Sequence, residues 1–172
     1  MAGNLTTEIE YRPLEPTDAT GLQELHVGLS EKTIDNRFFG PKLTLSDEEA
    51  QDFASVNHHI DQGAIAAFCG KQIIGVARYY QIESTTEAEV AIVVTDGWKK
   101  RRIGTELLRR LAKAAVANGI VHFISERRSS NFQVKGLLRV VCGDPVEGPK
   151  YVDGFAIEKW RLPEEAEATR QH

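Results

Sequence analysis

The residues best suited to chemistry lie close together in the middle of the chain. Glu89 sits in an apolar run, AEVAIVV at residues 88–94, and shortly after it comes a basic turn, Trp98-Lys99-Lys100-Arg101-Arg102-Ile103-Gly104-Thr105. The run reads as a strand with a period of two, so Glu89, Ala91 and Val93 share one face and Val90, Ile92 and Val94 the other. A carboxylate on a strand otherwise built for burial is a candidate general base, because desolvation raises its pKa toward neutrality. From the strand alone, a structural glutamate paired with an arginine explains it as well. The turn leads into a helical pattern in which Ile103, Leu107, Leu111 and Ala114 or Ala115 recur on one face. The first N–H groups of such a helix have no intrahelical partner, and with four cations beside them they form an anion site suited to a polyphosphate. A solvated basic loop is the plain alternative, but the strand before and the helix after favour the phosphate site.

These residues need a scaffold, and the rest of the chain supplies its elements. Residues 8–14 read as a first strand, stopped by Pro13 and Pro16, and Thr17 or Asp18 can cap a helix with Leu22, Leu25 and Leu29 on its apolar side. A second helix is expected over residues 31–39, closed by Gly40 and Pro41, and a third begins near Ser46, with Asp47, Glu48 and Glu49 at the positive end of its dipole. Residues 63–69 and 72–80 flank Gly70-Lys71 as a hairpin, and residues 120–125 should pair in parallel with the Glu89 strand through the intervening helix. A short helix over residues 131–141 follows, with Asn131 as its cap. A last hairpin then turns at Asp153-Gly154. The polar segment 164–172 is expected to be loose, which leaves one domain at residues 1–163.

Composition narrows the function. At 172 residues, 41% of them hydrophobic and 27% charged, the chain fits a single globular domain, and no apolar run is long enough for a membrane span. A net charge of -4 argues against a general nucleic-acid binder and suits a cationic, amine-bearing substrate. The opening MAGNLTTEIEYRPL has no secretory pattern, so a cytoplasmic location is expected, with Cys69 and Cys142 reduced. His58-His59 has no further ligand at metal spacing, and no metal is expected. Cys142 has no histidine placed near it, Ser129-Ser130 lacks a nucleophile-elbow setting, and neither a P-loop nor a dinucleotide fingerprint is present.

The turn and its flanking elements resemble the GNAT superfamily of acyl-CoA-dependent N-acyltransferases. That family's motif is a strand, then Gln/Arg-x-x-Gly-x-Gly/Ala, then a helix; here it reads Lys99-Lys100-Arg101-Arg102-Ile103-Gly104. The last glycine is kept, Lys99 stands for Gln or Arg, and Arg102 replaces the first glycine. The order of elements also resembles the family's, and implies an α/β fold with a mixed, mostly antiparallel twisted sheet of about seven strands and flanking helices. Bacterial protein lysine acetyltransferases are the most similar subgroup, through Leu29-Ser30-Glu31, Arg37-Phe38-Phe39, Ile74-Gly75-Val76-Ala77-Arg78-Tyr79 and Ala88-Glu89-Val90-Ala91.

The resemblance implies acetyl-CoA as co-substrate and no metal. It puts Glu89 as base, Lys99 to Thr105 on the diphosphate, and Ile92, Val93 and Val94 on the pantetheine amides where the strands bearing Val93 and Ile120 splay apart. It also places Asn131 beside the pantetheine arm. No general acid is assigned, since Leu137 and Leu138 stand where many relatives carry a tyrosine. The acceptor implied is a protein lysine, with a small amine as the alternative. A non-catalytic acyl-CoA-binding or regulatory module is a third reading, motivated by Arg102. Oligomeric state is left open, a homodimer included.

Overall fold

The computed structural model describes residues 8–164. Nearly all of the segment expected to be loose, residues 165–172 of 164–172, lies outside the described residues. The chain runs β1 (Ile9–Pro13), α1 (Ala19–Val27), α2 (Glu31–Phe38), α3 (Asp47–Ala54), β2 (Gln62–Cys69), β3 (Gln72–Gln81) and β4 (Glu87–Val94). It continues through α4 (Ile103–Ala117), β5 (His122–Arg128), α5 (Phe132–Cys142), β6 (Glu147–Val152) and β7 (Phe155–Arg161). The strands form one sheet in the order β1-β2-β3-β4-β5-β7-β6. All neighbours are antiparallel except β4 and β5, which α4 connects as a parallel pair. This is the α/β fold, with a mixed, mostly antiparallel sheet, that the sequence led us to expect.

Local chemistry explains most boundaries. Ser46 and Glu49 make a reciprocal capping box at the start of α3, and Ser30 caps α2 by accepting from the N–H of Thr33 at 3.2 Å. Asp153 and Gly154 both take positive φ, 49° and 83°, as a two-residue hairpin turn between right-twisted strands requires. Three details depart from expectation. The left-handed residue that ends α2 is Phe39 (φ 59°), ahead of Gly40, and its ring is held edge-on against Phe155 with centroids 4.8 Å apart. Asp18 precedes α1 but does not cap it with its side chain; the carboxylate instead grips Arg12 at 2.8 and 2.9 Å. β5 runs on to Arg128 because β7 pairs with it along its whole length.

The two faces of the sheet carry separate cores. Leu107, Leu108 and Leu111 of α4 and Leu138 of α5 are fully buried on one face, with the half-buried Val90, Ile92 and Val94 of β4 packed against them. Each such leucine contributes about 1.5–3 kcal/mol through apolar burial. On the other face α1 and α3 place Leu22, Leu25 and Phe53 against Val76 and Val93. The alternation along β4 thus assigns its faces as the sequence suggested.

Only three rungs join β4 to β5: Glu87 to His122, Ala88 to Phe123 and Glu89 to Ile124. Beyond them β4 stays with β3 as far as Val94, β5 stays with β7 as far as Arg128, and the two strands part. Among the described residues, no helix is long and apolar enough to cross a membrane.

Candidate active site

A cleft of about 880 Å3 opens where β4 and β5 diverge. Its walls come from both faces of the sheet: Ile92, Val94, Gly104 and Leu137 on the α4 side, and Glu89, Val93, Tyr80 and Arg37 on the other. The gap between the strands is therefore a passage through the sheet, with the start of α4 at one end and Glu89 at the other. Glu89, Ile92, Val93, Val94, Lys99, Lys100, Arg102, Ile103, Gly104, Thr105 and Asn131 all line it. Arg101 does not; its guanidinium lies 4.8 Å from the centroid of the Trp98 ring.

At the α4 end, helix geometry leaves the N–H groups of Ile103, Gly104 and Thr105 without intrahelical acceptors, and no side chain caps them. The residues before them adopt an unusual backbone. Lys100 (φ 62°) and Arg102 (φ 63°) are both left-handed, a conformation that costs a side-chain-bearing residue on the order of 1 kcal/mol or more. Arg102 so keeps the backbone shape that a glycine would adopt freely. Gly104 faces α5 closely: a Cβ there would come within 2.9 Å of Leu137 Cδ1, so the Leu137 side chain would have to shift.

The strained turn is held from behind by Asp96. Its carboxylate accepts from the Ser30 N–H (3.0 Å), the Ser30 hydroxyl (3.0 Å) and the Thr33 hydroxyl (2.9 Å), which ties the start of α2 to the turn. Partial burial works against ionisation of Asp96, but these bonds and that from Lys99 outweigh it and hold the carboxyl far below the usual carboxylate range. Lys99 reaches the cleft wall, yet its ammonium donates to Thr33 Oγ1 at 2.7 Å and to Asp96 at 3.1 Å. Lys99 is thus engaged in bracing the turn, while Lys100 and Arg102 form no ion pair among the described residues.

Glu89 departs from expectation in one respect. It is exposed to the cleft rather than buried in the sheet: Glu89 and Ile124 form the last rung, and β5 leaves β4 immediately beyond them. Its cross-strand partner is Tyr80, so the two side chains share a face and both line the passage.

A model of the acetyltransferase (GNAT) family matches residues 31–143, from the start of α2 to just past the end of α5. The chain belongs to that family. Solved structures agree with this assignment of the GNAT fold. The GNAT domain of PAT from S. lividans is 26% identical with a TM-score of 0.80, and 90% of each chain is covered. The PaiA N-acetyltransferase of Thermoplasma acidophilum, solved with coenzyme A, is 17% identical with a TM-score of 0.71 over 90% of this chain and 99% of that one. YncA of Salmonella typhimurium, solved with acetyl-CoA, is 15% identical with a TM-score of 0.70 over 92% and 96%. The last two share the fold.

The β5 wall of this acetyltransferase contains a charged group that sequence reasoning missed. Arg127 and Glu158 are 2% and 1% exposed and pair at 2.8 Å, with Lys135 Nζ a further 3.5 Å from the same carboxylate oxygen. Arg127 also donates through Nη1 to the carbonyls of Ser129 (3.0 Å) and Asn131 (3.5 Å), which fixes the loop that brings Asn131 to the cleft. Asn131 makes no side-chain cap to α5. The available signal was period: Phe123, Ser125 and Arg127 are the buried positions of β5, so the inward alternation runs straight into the charged segment. Cys142 is no nucleophile, since burial pushes its thiol up to about 12. Among the described residues, no three metal-ligating side chains come together.

Proposed function

We propose that this GNAT enzyme moves an acetyl group from acetyl-CoA to a primary amine by direct transfer, with a protein lysine as acceptor, Glu89 as base and the cytoplasm as its place of action. The single observation that carries the reading is the passage that joins the mouth of α4 to Glu89 through the gap between β4 and β5. The residues present fit the co-substrate. The uncapped N–H groups at Ile103 to Thr105, with Lys100 and Arg102, suit its diphosphate. Main-chain groups of residues 90–94 that face the gap have no strand partner and suit the amides of its pantetheine arm.

Acetyl-CoA supplies the acetyl thioester. A lysine amine, with a solution pKa near ~10.4, arrives as an ammonium and must lose a proton to attack. The Glu89 carboxylate takes that proton, directly or through one water. As the new N–C bond forms the C–S bond breaks; CoA leaves as a thiolate, its thiol pKa being about 8.5, and takes up the second proton that the nitrogen sheds, without a dedicated acid. Entry of the two substrates also removes water from around Glu89.

The subgroup segments support a protein lysine as acceptor, and a small amine is the competing choice. Labelled acetyl-CoA offered with cell proteins and, separately, with a panel of amines distinguishes them; labelling confined to the amines would remove the protein acceptor. Glu89→Gln should bind acetyl-CoA as the parent does and lose roughly 10²–10⁴-fold in turnover. Unchanged turnover at neutral pH would exclude Glu89 as base.

A further inference from the structure

Two arginines on the Glu89 side of the cleft have no acidic partner among the described residues. Arg37, on α2, lines both the passage and a side cavity of about 30 Å3; Arg78, on β3, lines the side cavity and is 6% exposed. Acids on the neighbouring helices are engaged elsewhere, Asp35 with Arg128 at 3.0 Å and Glu49 with Lys42 at 2.7 Å. An aromatic ring lies beside each guanidinium group: Arg78 Cζ is 4.2 Å from the Phe53 ring centroid and Arg37 Cζ is 4.8 Å from that of Phe38. Cation–π contact uses no N–H acceptor, so it leaves guanidinium N–H groups to bind an anion. Arg78 uses one edge to donate to the Tyr80 hydroxyl at 3.1 Å, so the Tyr80 proton is left to donate elsewhere, and Tyr80 lines the passage. Arg37 has no side-chain acceptor among the described residues. Burial, together with the like charge of Arg78, pushes Arg37 down to about 10. Holding two cations together in this setting without a counter-ion is costly, and an incoming anion removes that cost.

We infer that Arg37 and the Tyr80 hydroxyl, backed by Arg78, form an anion subsite for a carboxylate carried by the acceptor amine. The inference rests on the transfer reading and narrows its acceptor. Tyr80 is the cross-strand partner of Glu89 and Arg78 lies two residues along the same face, so the Cα atoms of Glu89 and Arg78 are roughly 8 Å apart. The site is thus dipolar. An acceptor fits when its ammonium faces Glu89 and a carboxylate several ångströms away faces Arg37. Two sources supply that chemistry: an acidic side chain beside a protein lysine, or the free α-carboxylate of an amino acid.

Calorimetry on the full chain saturated with CoA separates them. Nα-acetyl-lysine is compared with Nα-acetyl-lysinamide, and a lysine peptide flanked by glutamates with its glutamine counterpart. In at least one pair the acid should bind on the order of 10- to 100-fold more tightly than the amide, and that pair names the source. Arg37→Met should bring acid and amide to parity while melting no lower than the parent, since it deletes a half-buried cation with no acidic partner among the described residues; Arg78→Met serves as the second variant. Parity of both pairs in the parent, or a preference that survives both variants, overturns the subsite. Because the readout is binding, absence of acetyl transfer to any acceptor would overturn the transfer reading and leave this result standing.

Discussion

Glu158→Gln tests whether the buried charges on the β5 wall hold that side of the cleft together. The substitution keeps the shape of the side chain but leaves Arg127 charged, 2% exposed and without its counter-ion at 2.8 Å. It also weakens the small network in which Ser125 Oγ donates to Glu158 at 3.4 Å and accepts from Trp160 Nε1 at 2.8 Å. Removing one partner of a buried pair costs about 3–5 kcal/mol, against a total stability of roughly 5–15 kcal/mol for a domain. At about 2–4 °C per kcal/mol for a chain of this size, the melting temperature should fall by about 6–20 °C. Urea and thermal unfolding followed by circular dichroism measure the loss. Acid adds a second readout. Burial alone would raise the Glu158 carboxyl, but the hydrogen bonds and charges of Arg127 and Lys135 outweigh it and hold the group below its ordinary range. Its folded pKa is therefore below the unfolded one, so its contribution is present above about pH 4.3 and is lost as the pH falls through the folded value. The parent should lose stability in that window more steeply than Glu158→Gln. A loss under about 1 kcal/mol, with identical acid profiles, would refute the reasoning. Replacing both partners, Arg127→Met with Glu158→Leu, should recover most of the stability while acetyl-CoA affinity falls, because the loop before Asn131 loses its anchor.

Three further outcomes follow from the other end of the cleft. Arg102→Gly relieves a left-handed arginine and should leave the melting temperature level or slightly higher, yet weaken acetyl-CoA binding by about 1–3 kcal/mol in calorimetry; tighter binding would show that the guanidinium obstructs the phosphates. Gly104→Ala places a Cβ 2.9 Å from Leu137 Cδ1, the far end of a side chain that can turn aside, and removes a glycine from the helix, so urea unfolding should change by no more than about 1 kcal/mol; a larger loss would mean that Leu137 is held rigidly. Asp96→Asn removes the charge that gathers Ser30, Thr33 and Lys99, and should lower stability by about 1–2 kcal/mol and raise the acceptor KM through α2. An unchanged KM would mean that the clasp does not position α2.

Period and turn chemistry made much of this readable from the chain. The alternation of β4 put Glu89 and Val93 on one face and Ile92 on the other, and Asp153-Gly154 marked its hairpin through the one backbone conformation such turns favour. What stayed hidden depends on partners distant in sequence. Glu89 reads as buried because its neighbours are apolar, and only the departure of β5 after Ile124 exposes it. The period of β5 marks Arg127 as an inward position, but only β7 brings Glu158 to it. Lys99 reads as a phosphate ligand because it sits among cations, yet Thr33 on α2, 66 residues away, engages it. Arg37 and Arg78 each look ordinary until α2 and β3 bring them to the same side cavity.

The three rungs between β4 and β5 have a mechanical consequence. Four strands on one side and three on the other meet at a waist only three residues long, so the sheet behaves less like one sheet than like two panels sharing a short hinge. A co-substrate that hydrogen-bonds along residues 90–94 would act as the missing plank, and closing that seam would stiffen the enzyme at the moment both reactants are in place.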